Sequence, residues 1–328
     1  MNMRQFGNTD LLCSPIGFGT WALGHGYGDI DDDQAARAML AAIDGGINLI
    51  DTAEVYGPYL SEEWVGRTLG ARRREIVLVT KVGYRYDAQG KIAGRNSQSD
   101  HLIAHTEDCL KRLQTDWIDL LLIHWPDHDT PLEETMRALE LLKATGKVRY
   151  TGVSNFNVEM LTECKKHGTL IANQVGYNLF DRRMETHILP YCRQNGLGFM
   201  AYGSLCYGLL GGTFTPETTF IDSDWRSKGK AFGLPLFQND HWIKELRVVD
   251  RLKALAARYD RTVAQLAIAW VIGHPAVTVA LVGMRTVQEL EEDIQAAEWT
   301  LSDDLGAEIG RIFQEEGVPT YVDAPQAV

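Results

Sequence analysis

The chain has 328 residues, enough for two average domains or for one α/β barrel, and its 45% hydrophobic and 23% charged residues are typical of a globular protein. Its 32 lysines and arginines against 44 aspartates and glutamates give a formal net charge of −12, which repels nucleic-acid backbones and anionic bilayers. These values exclude wholesale disorder and a collagen-like repeat. We therefore expect neither nucleic acid nor a membrane as a partner.

The cysteines are odd in number and none forms a C-x-x-C pair, which argues against a disulfide framework and against a zinc knuckle. They are Cys13, Cys109, Cys164, Cys192 and Cys206. The first residues are too polar for a signal peptide, and the longest apolar runs, such as residues 266–273, are much shorter than the roughly 20 residues of a membrane span. The sequence predicts a cytoplasmic protein without a metal site.

Short apolar runs rich in β-branched residues recur along the chain, as expected for strands that are buried on both faces. The eight runs begin at Ile16, Ile47, Glu75, Asp119, Val148, Ile171, Gly198 and Val277. Most are separated by a stretch with helical periodicity, and several of these stretches end at glycine, as at Gly45 and Gly146. The alternation indicates an α/β protein with a parallel sheet.

Eight such repeats without a linker or a change of composition predict a single (β/α)8 TIM barrel, with residues 1–328 as one domain. Two pieces lie outside the repeat. The segment before Ile16 reads as a β-hairpin that turns at Gly7 and Asn8, and the stretch after Trp299 reads as a tail helix and loop. A long connection at 211–240 has the length of a lid or binding loop.

Two local motifs are better explained by ordinary structure. GFGTWA from Gly17 imitates a dinucleotide-binding fingerprint, but a glycine-rich loop follows it where a Rossmann fold requires a helix. His101 and His105 have the spacing of helical zinc ligands without the accompanying glutamate, so we place them on a partly exposed helix. Neither motif changes the prediction of a closed barrel.

Polar residues end three consecutive apolar runs: Asp51, Lys81 and His124. Tyr56 follows Asp51 by five residues, in the loop after the second strand. In a parallel barrel the active site is built at the carboxyl ends of the strands, and adjacent strands are about 4.8 Å apart. We expect these four side chains to converge on one small pocket.

At these residues the chain resembles the aldo-keto reductase family. The matching motifs are DTAEVYG at 51–57, TK at 80–81, LIHW at 122–125, GVSNF at 152–156 and LVGMRT at 281–286. They occur in the family's order and cover nearly the whole chain. The resemblance implies a barrel enzyme that uses a nicotinamide cofactor.

By this resemblance, Asp51, Tyr56, Lys81 and His124 form the catalytic tetrad of a carbonyl reductase. Hydride arriving at a carbonyl carbon leaves negative charge on the oxygen, where a proton donor is needed. Tyr56 is the natural donor, but a free phenol has a pKa of about 10. We expect Lys81 to lower that pKa, Asp51 to keep Lys81 charged, and His124 to donate a second hydrogen bond to the oxygen.

The resemblance also implies which residues hold the cofactor and the substrate. The cofactor-binding candidates are Thr20, Trp21, Asp51, Ser154, Asn155, Gln174, Tyr202, Ser204, Leu205, Gly208, Gly283, Arg285, Glu289 and Asp293. The substrate-binding candidates are Trp21, Tyr56, His124 and Trp125. In similar proteins the long connection, here with Asp224 to Arg226, folds across the cofactor.

The family pattern leaves the choice between the two cofactors open. Arg285 matches a basic position that contacts the adenosine 2′-phosphate, whereas Glu289 and Asp293 stand where many relatives carry Gln and Asn. A carboxylate repels a 2′-phosphate and accepts from a 2′-hydroxyl. We favour NADP(H) and keep NAD(H) as the alternative.

Three functions fit these residues. The leading one is an NADP(H)-dependent reductase of aldehydes or ketones, with Tyr56 as general acid. The second is an NAD-dependent sugar or alcohol dehydrogenase that runs the same site in reverse. The third is a non-enzymatic, cofactor-sensing protein like the potassium-channel subunits of this family. Substrate identity lies mainly in the loops at 24–30, 84–96 and 211–240.

Overall fold

The computed structural model describes residues 1–24, 27 and 30–322. In chain order its strands are β1 (Arg4–Gln5), β2 (Leu12–Cys13), β3 (Ile16–Gly19), β4 (Leu49–Asp51), β5 (Val77–Val82), β6 (Tyr84–Tyr86), β7 (Ile92–Arg95), β8 (Ile118–Ile123), β9 (Val148–Ser154), β10 (Ala172–Gly176), β11 (Gly198–Tyr202) and β12 (Val277–Val282). Within these residues, β3, β4, β5 and β8 to β12 close into a barrel in which every neighbouring pair is parallel. The last strand, β12, closes the barrel against β3.

Helices connect most of the barrel strands and cover the outside of the sheet. They are α1 (Asp32–Asp44), α2 (Leu60–Leu69), α3 (Ser99–Arg112), α4 (Leu132–Ala144), α5 (Val158–His167), α6 (Ile188–Gln194), α7 (Asn239–Ala257), α8 (Val263–Gly273), α9 (Val287–Asp293) and α10 (Asp303–Glu316). Short 3-10 helices lie at Trp21–Gly24, Gly70–Glu75, Cys206–Gly211, Trp225–Lys228 and Ile294–Glu298. Local sequence sets the ends of these elements: the Asp31 side chain accepts from the Gln34 N–H at the start of α1, and Gly46 takes φ +91° just after its end.

The amino-terminal end of the barrel is closed by the antiparallel pair β1 and β2. Between these strands, the fully buried Phe6 packs into the interior cluster of apolar side chains. A Cβ on Gly198, at the start of β11, would lie 2.4 Å from the Phe6 ring, so glycine is required there. Because this end is plugged, the opposite end is left to carry the site.

The eight predicted strands, the N-terminal hairpin and the tail helix are confirmed. The region at 84–96, expected as a loop, contains the antiparallel pair β6 and β7. The two strands have only three and four residues, and the residues between them are mostly polar or glycine, so no apolar run marks them. Of the expected loop at 24–30, residues 25–26 and 28–29 lie outside the described part. No helix in the described ranges has the length and apolarity to span a bilayer.

Candidate active site

Asp51, Lys81 and Tyr56 form a hydrogen-bonded chain at the carboxyl ends of β4 and β5. Lys81 Nζ lies 2.6 Å from Asp51 Oδ1, 3.1 Å from the Tyr56 phenolic oxygen and 2.9 Å from the Thr52 carbonyl oxygen. Asp51 pairs in register with Val79, so Lys81 lies two residues further along the adjacent strand β5 and on the same face of the sheet. The loop after β4 carries Tyr56 back over the lysine. We call these three residues the relay.

The two charged side chains of the relay are buried away from water. Lys81 is fully buried and Asp51 is 2% exposed. Burial lowers the pKa of Lys81 and raises the pKa of Asp51, while the attraction between the two charges opposes both shifts. Asp51 also accepts through its second oxygen from Gln174 Nε2 at 2.7 Å. The ion pair is therefore tied to a neighbouring amide.

The structure corrects the expectation that Lys81 lowers the pKa of Tyr56. Burial, followed by the negative charge of Asp51 and neighbouring phenols, raises the pKa of Tyr56 well above its usual value. The expectation considered the ammonium alone, whereas desolvation of the buried phenolate and the nearby Asp51 carboxylate set the net direction of the shift. Tyr56 therefore keeps its proton at neutral pH.

His124 follows β8, and its ring meets the Tyr56 ring edge to face, with centroids 5.8 Å apart. Burial, then the charges of Lys81 and Arg95, lower the pKa of His124 well below its usual value, so the imidazole is neutral at pH 7. Its Nδ1 is buried without a hydrogen-bond partner among the described residues. The four residues predicted to converge thus lie together.

Four of the residues predicted to bind the cofactor, Ser154, Asn155, Gln174 and Tyr202, are linked through hydrogen bonds to one another or to the relay. Asn155 Nδ2 donates to the His124 carbonyl oxygen at 3.1 Å, and Asn155 Oδ1 accepts from the Tyr202 phenol at 2.9 Å. Ser154 Oγ donates to the Gln174 carbonyl oxygen at 2.8 Å. A Cβ on Gly176 would lie 3.1 Å from the Tyr202 ring, so the ring lies close against β10.

A cavity of about 660 Å³ contains this set, within the usual range for ligand pockets. It is lined by all but two of the predicted site residues. The exceptions are Lys81, which is buried beneath Tyr56, and Thr20. Thr20 is fully buried, and its hydroxyl donates to the Asp51 carbonyl oxygen at 2.9 Å and accepts from Ser61. Thr20 therefore stabilises the backbone at Asp51 and does not line the cavity.

The long connection after β11 covers one side of the cavity with aromatic rings. Trp225 stacks on Trp21 with centroids 5.4 Å apart, and Phe232 lies 6.2 Å from Trp125. Arg226, another lining residue, is held by Asp224 through contacts as short as 2.6 Å. Next to it, Cys206, Tyr207 and Gly208 all take positive φ, as in loops held in a functional conformation.

Four ionisable residues after β12 line the same cavity, and we call them the α9 cluster: Arg285, Glu289, Glu292 and Asp293. Glu289 accepts from the Arg285 guanidinium at 2.8 Å and from its backbone N–H at 2.7 Å. Burial, then the charges of Glu292 and Glu289, raise the pKa of Asp293 to about 8. Asp293 is therefore mostly protonated at pH 7.

Sequence reasoning missed several lining residues, among them Tyr84, Tyr207, Phe232 and Glu292. Tyr84 follows Lys81 by three residues, and that closeness to a strand end was a usable signal. Phe232 lies in an irregular connection of 30 residues, where no periodicity indicates which ring faces inward. Glu292 is one of several neighbouring acids, and the sequence does not show which of them face the cavity.

Comparison with known proteins identifies the family. The model of the Aldo/keto reductase family matches residues 15–313. The chain belongs to this family. Its members are NAD(P)-dependent oxidoreductases, and so is this protein.

Named aldo-keto reductases resemble the chain over almost its full length. Aldo-keto reductase YhdN of Bacillus subtilis (strain 168) is 37% identical, covering 96% of this chain and 94% of the relative. NADH-specific methylglyoxal reductase of Escherichia coli (strain K12) is 33% identical over 92% of this chain and 95% of the relative. The structure of the glycerol dehydrogenase of Gluconobacter oxydans has a TM-score of 0.87 and 35% identity, covering 97% of this chain and 96% of that one.

Proposed function

We propose that the protein reduces a small aldehyde or ketone to an alcohol with NADPH or NADH, and that Tyr56 is the general acid. The observation that carries the proposal is the relay: a protonated phenol 3.1 Å from a buried ammonium, which is itself 2.6 Å from a carboxylate, facing a cavity beside a neutral imidazole. A hydrogen-bond donor placed in this way meets the charge that develops on a carbonyl oxygen during reduction.

Each member of the set has its own task in the proposed reaction. Tyr56 donates its proton to the substrate oxygen, and Lys81 stabilises the phenolate that remains. Asp51 holds Lys81 in place and offsets its buried charge. His124 donates a hydrogen bond from Nε2 to the same oxygen, because its Nδ1 is enclosed by protein. The proton and the hydrogen bond reach the oxygen from two sides.

The cavity fits a dinucleotide by its size and by the chemistry of its lining. Amides at Asn155 and Gln174 match the donor and acceptor of a carboxamide, and the Tyr202 ring offers a stacking face beside them. Arg226 and Arg285 are cations for phosphate groups. The bound cofactor supplies the hydride for the carbonyl carbon.

The α9 cluster supports NADP(H) as the preferred cofactor while admitting NAD(H). Arg285 is the cation of this cluster that can meet a 2′-phosphate, and its side chain is half-exposed. Glu289 already engages the guanidinium, and Glu292 adds a further negative charge. The attraction for a 2′-phosphate is therefore reduced, and we expect the preference for NADP(H) to be small.

A second candidate is the reverse reaction, oxidation of a small alcohol. It is favoured by the likeness to a glycerol dehydrogenase, which covers nearly the whole of both chains. Oxidation requires Tyr56 to accept a proton. Because the raised pKa keeps this phenol protonated at neutral pH, we expect oxidation to need alkaline conditions.

Transfer of deuterium from labelled NADPH to the carbonyl carbon tests the proposed function. The purified protein is incubated at pH 7 with a panel of small aldehydes and ketones and with NADPH carrying deuterium at either face of C4, and the alcohols are analysed by mass spectrometry. We expect one deuterium on the carbinol carbon from one of the two labelled cofactors. Absence of cofactor oxidation across the panel, together with oxidation of alcohols at pH 9, would replace the reductase with the dehydrogenase.

A further inference from the structure

Tyr84 stands beside the proposed chemistry without belonging to the relay. It begins β6, directly after the strand that carries Lys81, and its ring meets the His124 ring edge to face with centroids 5.3 Å apart. Tyr56 meets the same imidazole edge to face, with centroids 5.8 Å apart. His124 therefore contacts two tyrosine rings, and both tyrosines line the cavity.

The backbone of Tyr84 is held on both sides by buried or half-buried side chains. Its N–H donates to Glu54 Oε1 at 3.2 Å, and its carbonyl oxygen lies 2.9 Å from His101 Nε2. Burial and the neighbouring His105 lower the pKa of His101, so the neutral ring donates to this carbonyl through Nε2–H. Two side chains thus fix the residue that begins the β6–β7 hairpin.

Glu54 is in turn held in place by α3. It is fully buried, and its second oxygen lies 2.6 Å from His105 Nδ1. A fully buried carboxylate is costly unless it is paired, and here both oxygens are used, one on His105 and one on Tyr84. The cluster of Glu54, His101 and His105 therefore ties α3, the loop before Tyr56 and the hairpin together at one point.

The phenol of Tyr84 differs from the other phenol near Tyr56. Tyr202 donates its hydroxyl to Asn155 at 2.9 Å, whereas the Tyr84 hydroxyl has no hydrogen bond to a described residue and Tyr84 lines the cavity. Burial raises the pKa of Tyr84 to about 12, so it remains a donor throughout the neutral range. Arg95 is its partner across the hairpin, and the cavity that Tyr84 lines has apolar and aromatic walls as well, Ile92 and Trp125 among them. A positioned phenol in such a cavity can select a polar group on a ligand.

We propose that Tyr84 hydrogen-bonds to a second oxygen of the substrate, on the carbon next to the reacting carbonyl, and that the preferred substrates are small α-oxygenated carbonyl compounds. This inference rests on the proposed function, because it assumes that the reacting oxygen lies at Tyr56 and His124. Because Tyr84 contacts the same imidazole and lines the same cavity, a group on the carbon next to the bound carbonyl is within reach of its hydroxyl. A site built to bond a substrate hydroxyl discriminates against the analogue that lacks it.

The experiment compares two ketones of nearly equal size, hydroxyacetone and 2-butanone. We expect the wild-type protein to have the higher kcat/KM for hydroxyacetone, and Tyr84→Phe to lower the ratio of the two kcat/KM values by about tenfold, the usual contribution of one hydrogen bond. The matched control is Tyr86→Phe, on the same hairpin but outside the cavity lining, which should leave the ratio unchanged. A ratio near one in the wild type, or an unchanged ratio in Tyr84→Phe, would overturn the inference.

Failure of the proposed function has a different signature. In that case NADPH still binds, as measured by quenching of protein fluorescence, but neither ketone and no aldehyde is reduced. Both the proposed reductase function and the role of Tyr84 would then be rejected. Reduction of both ketones at similar efficiency leaves the reductase intact and rejects only the role of Tyr84.

Glu54 is expected to position Tyr84, and a comparison of two Glu54 variants, one of which keeps the hydrogen-bond acceptor, tests this role. Glu54→Ala should raise KM for hydroxyacetone with little change in kcat, because the hairpin loses the acceptor for the Tyr84 N–H. Glu54→Gln keeps a carbonyl acceptor at that place and should recover most of the wild-type KM. An equal rise in KM in both variants would show that Glu54 does not act by holding Tyr84.

Discussion

The relay and the α9 cluster differ in how far their charged side chains are exposed to water and in how those charges are paired. In the relay, Lys81 and Asp51 are almost completely removed from water and each has the other as partner. In the α9 cluster, the side chains of Arg285 and Glu289 remain 54% and 34% exposed, and the acids outnumber the cation. Buried charges interact strongly and depend on their partners, whereas exposed charges are screened and contribute little each.

This difference indicates what mutation can do in each region. Removing Lys81 or Asp51 leaves an unpaired charge in the barrel mouth, so stability and chemistry should fall together. A change at Arg285 or Glu289 alters a screened interaction at the rim, so cofactor choice should shift while the fold and the proposed chemistry persist.

Removal of the lysine should have the largest effect. In Lys81→Met the Asp51 carboxylate keeps only Gln174 as a side-chain partner, and we expect the free energy of unfolding to fall by about 3–5 kcal/mol, as for other broken buried pairs. Urea denaturation measures this. The double variant Lys81→Met with Asp51→Asn has no buried charge at this place and should recover part of the loss. A single variant as stable as the wild type would mean that the pair is not coupled as described.

Cofactor selectivity should respond to Glu289. Glu289→Gln removes the charge that engages Arg285 and frees the guanidinium for a 2′-phosphate. We expect the Kd of NADPH to fall by about fivefold, which corresponds to roughly the 1 kcal/mol of an exposed pair, with the Kd of NADH changed less than twofold. Titration followed by cofactor fluorescence gives both constants.

The control for this variant lies on the same helix. Glu291 is exposed, is two residues away from Glu289 and does not line the cavity. Glu291→Gln makes the same change of net charge and should leave both dissociation constants unchanged. If the two variants behave alike, the effect comes from overall charge and not from the contact with Arg285.

The smallest effect should appear as a pH dependence. As pH rises through the value of about 8 for Asp293, this carboxyl becomes negative, and the added charge repels a bound 2′-phosphate. A phosphate monoester has a second pKa of about 6 and is roughly nine-tenths dianionic or more between pH 7 and 9.5, so the Kd of NADPH should rise by about threefold, mainly through Asp293. Asp293→Asn should abolish this rise. A rise of the same size in the variant would assign it to another group.

The barrel and the convergence of its polar residues could be predicted from the sequence because both depend on local signals. Buried parallel strands appear as apolar runs, and their carboxyl ends bring together whatever polar residue ends each run. Asp51, Lys81 and His124 are such residues. Their meeting follows from the chain order of neighbouring strands, which a repeating pattern reveals.

What the sequence could not predict depends on contacts between distant segments. The direction of the Tyr56 pKa shift is set by burial, which no motif records. Thr20 lies beside a site residue in sequence, yet its side chain points to Ser61, 41 positions away. The Glu54–His105 contact joins residues 51 positions apart, so two histidines that read as an ordinary helix face also hold the hairpin.

The most direct test of the account replaces Tyr56 with phenylalanine. Because only a hydroxyl that contacts Lys81 and the cavity is lost, we expect kcat for carbonyl reduction to fall by about 10²–10⁴-fold, while the Kd of NADPH stays within about threefold of the wild-type value. Tyr59→Phe, which removes a phenol outside the cavity lining, serves as the control. Undiminished turnover in Tyr56→Phe would contradict the assignment of Tyr56 as the proton donor.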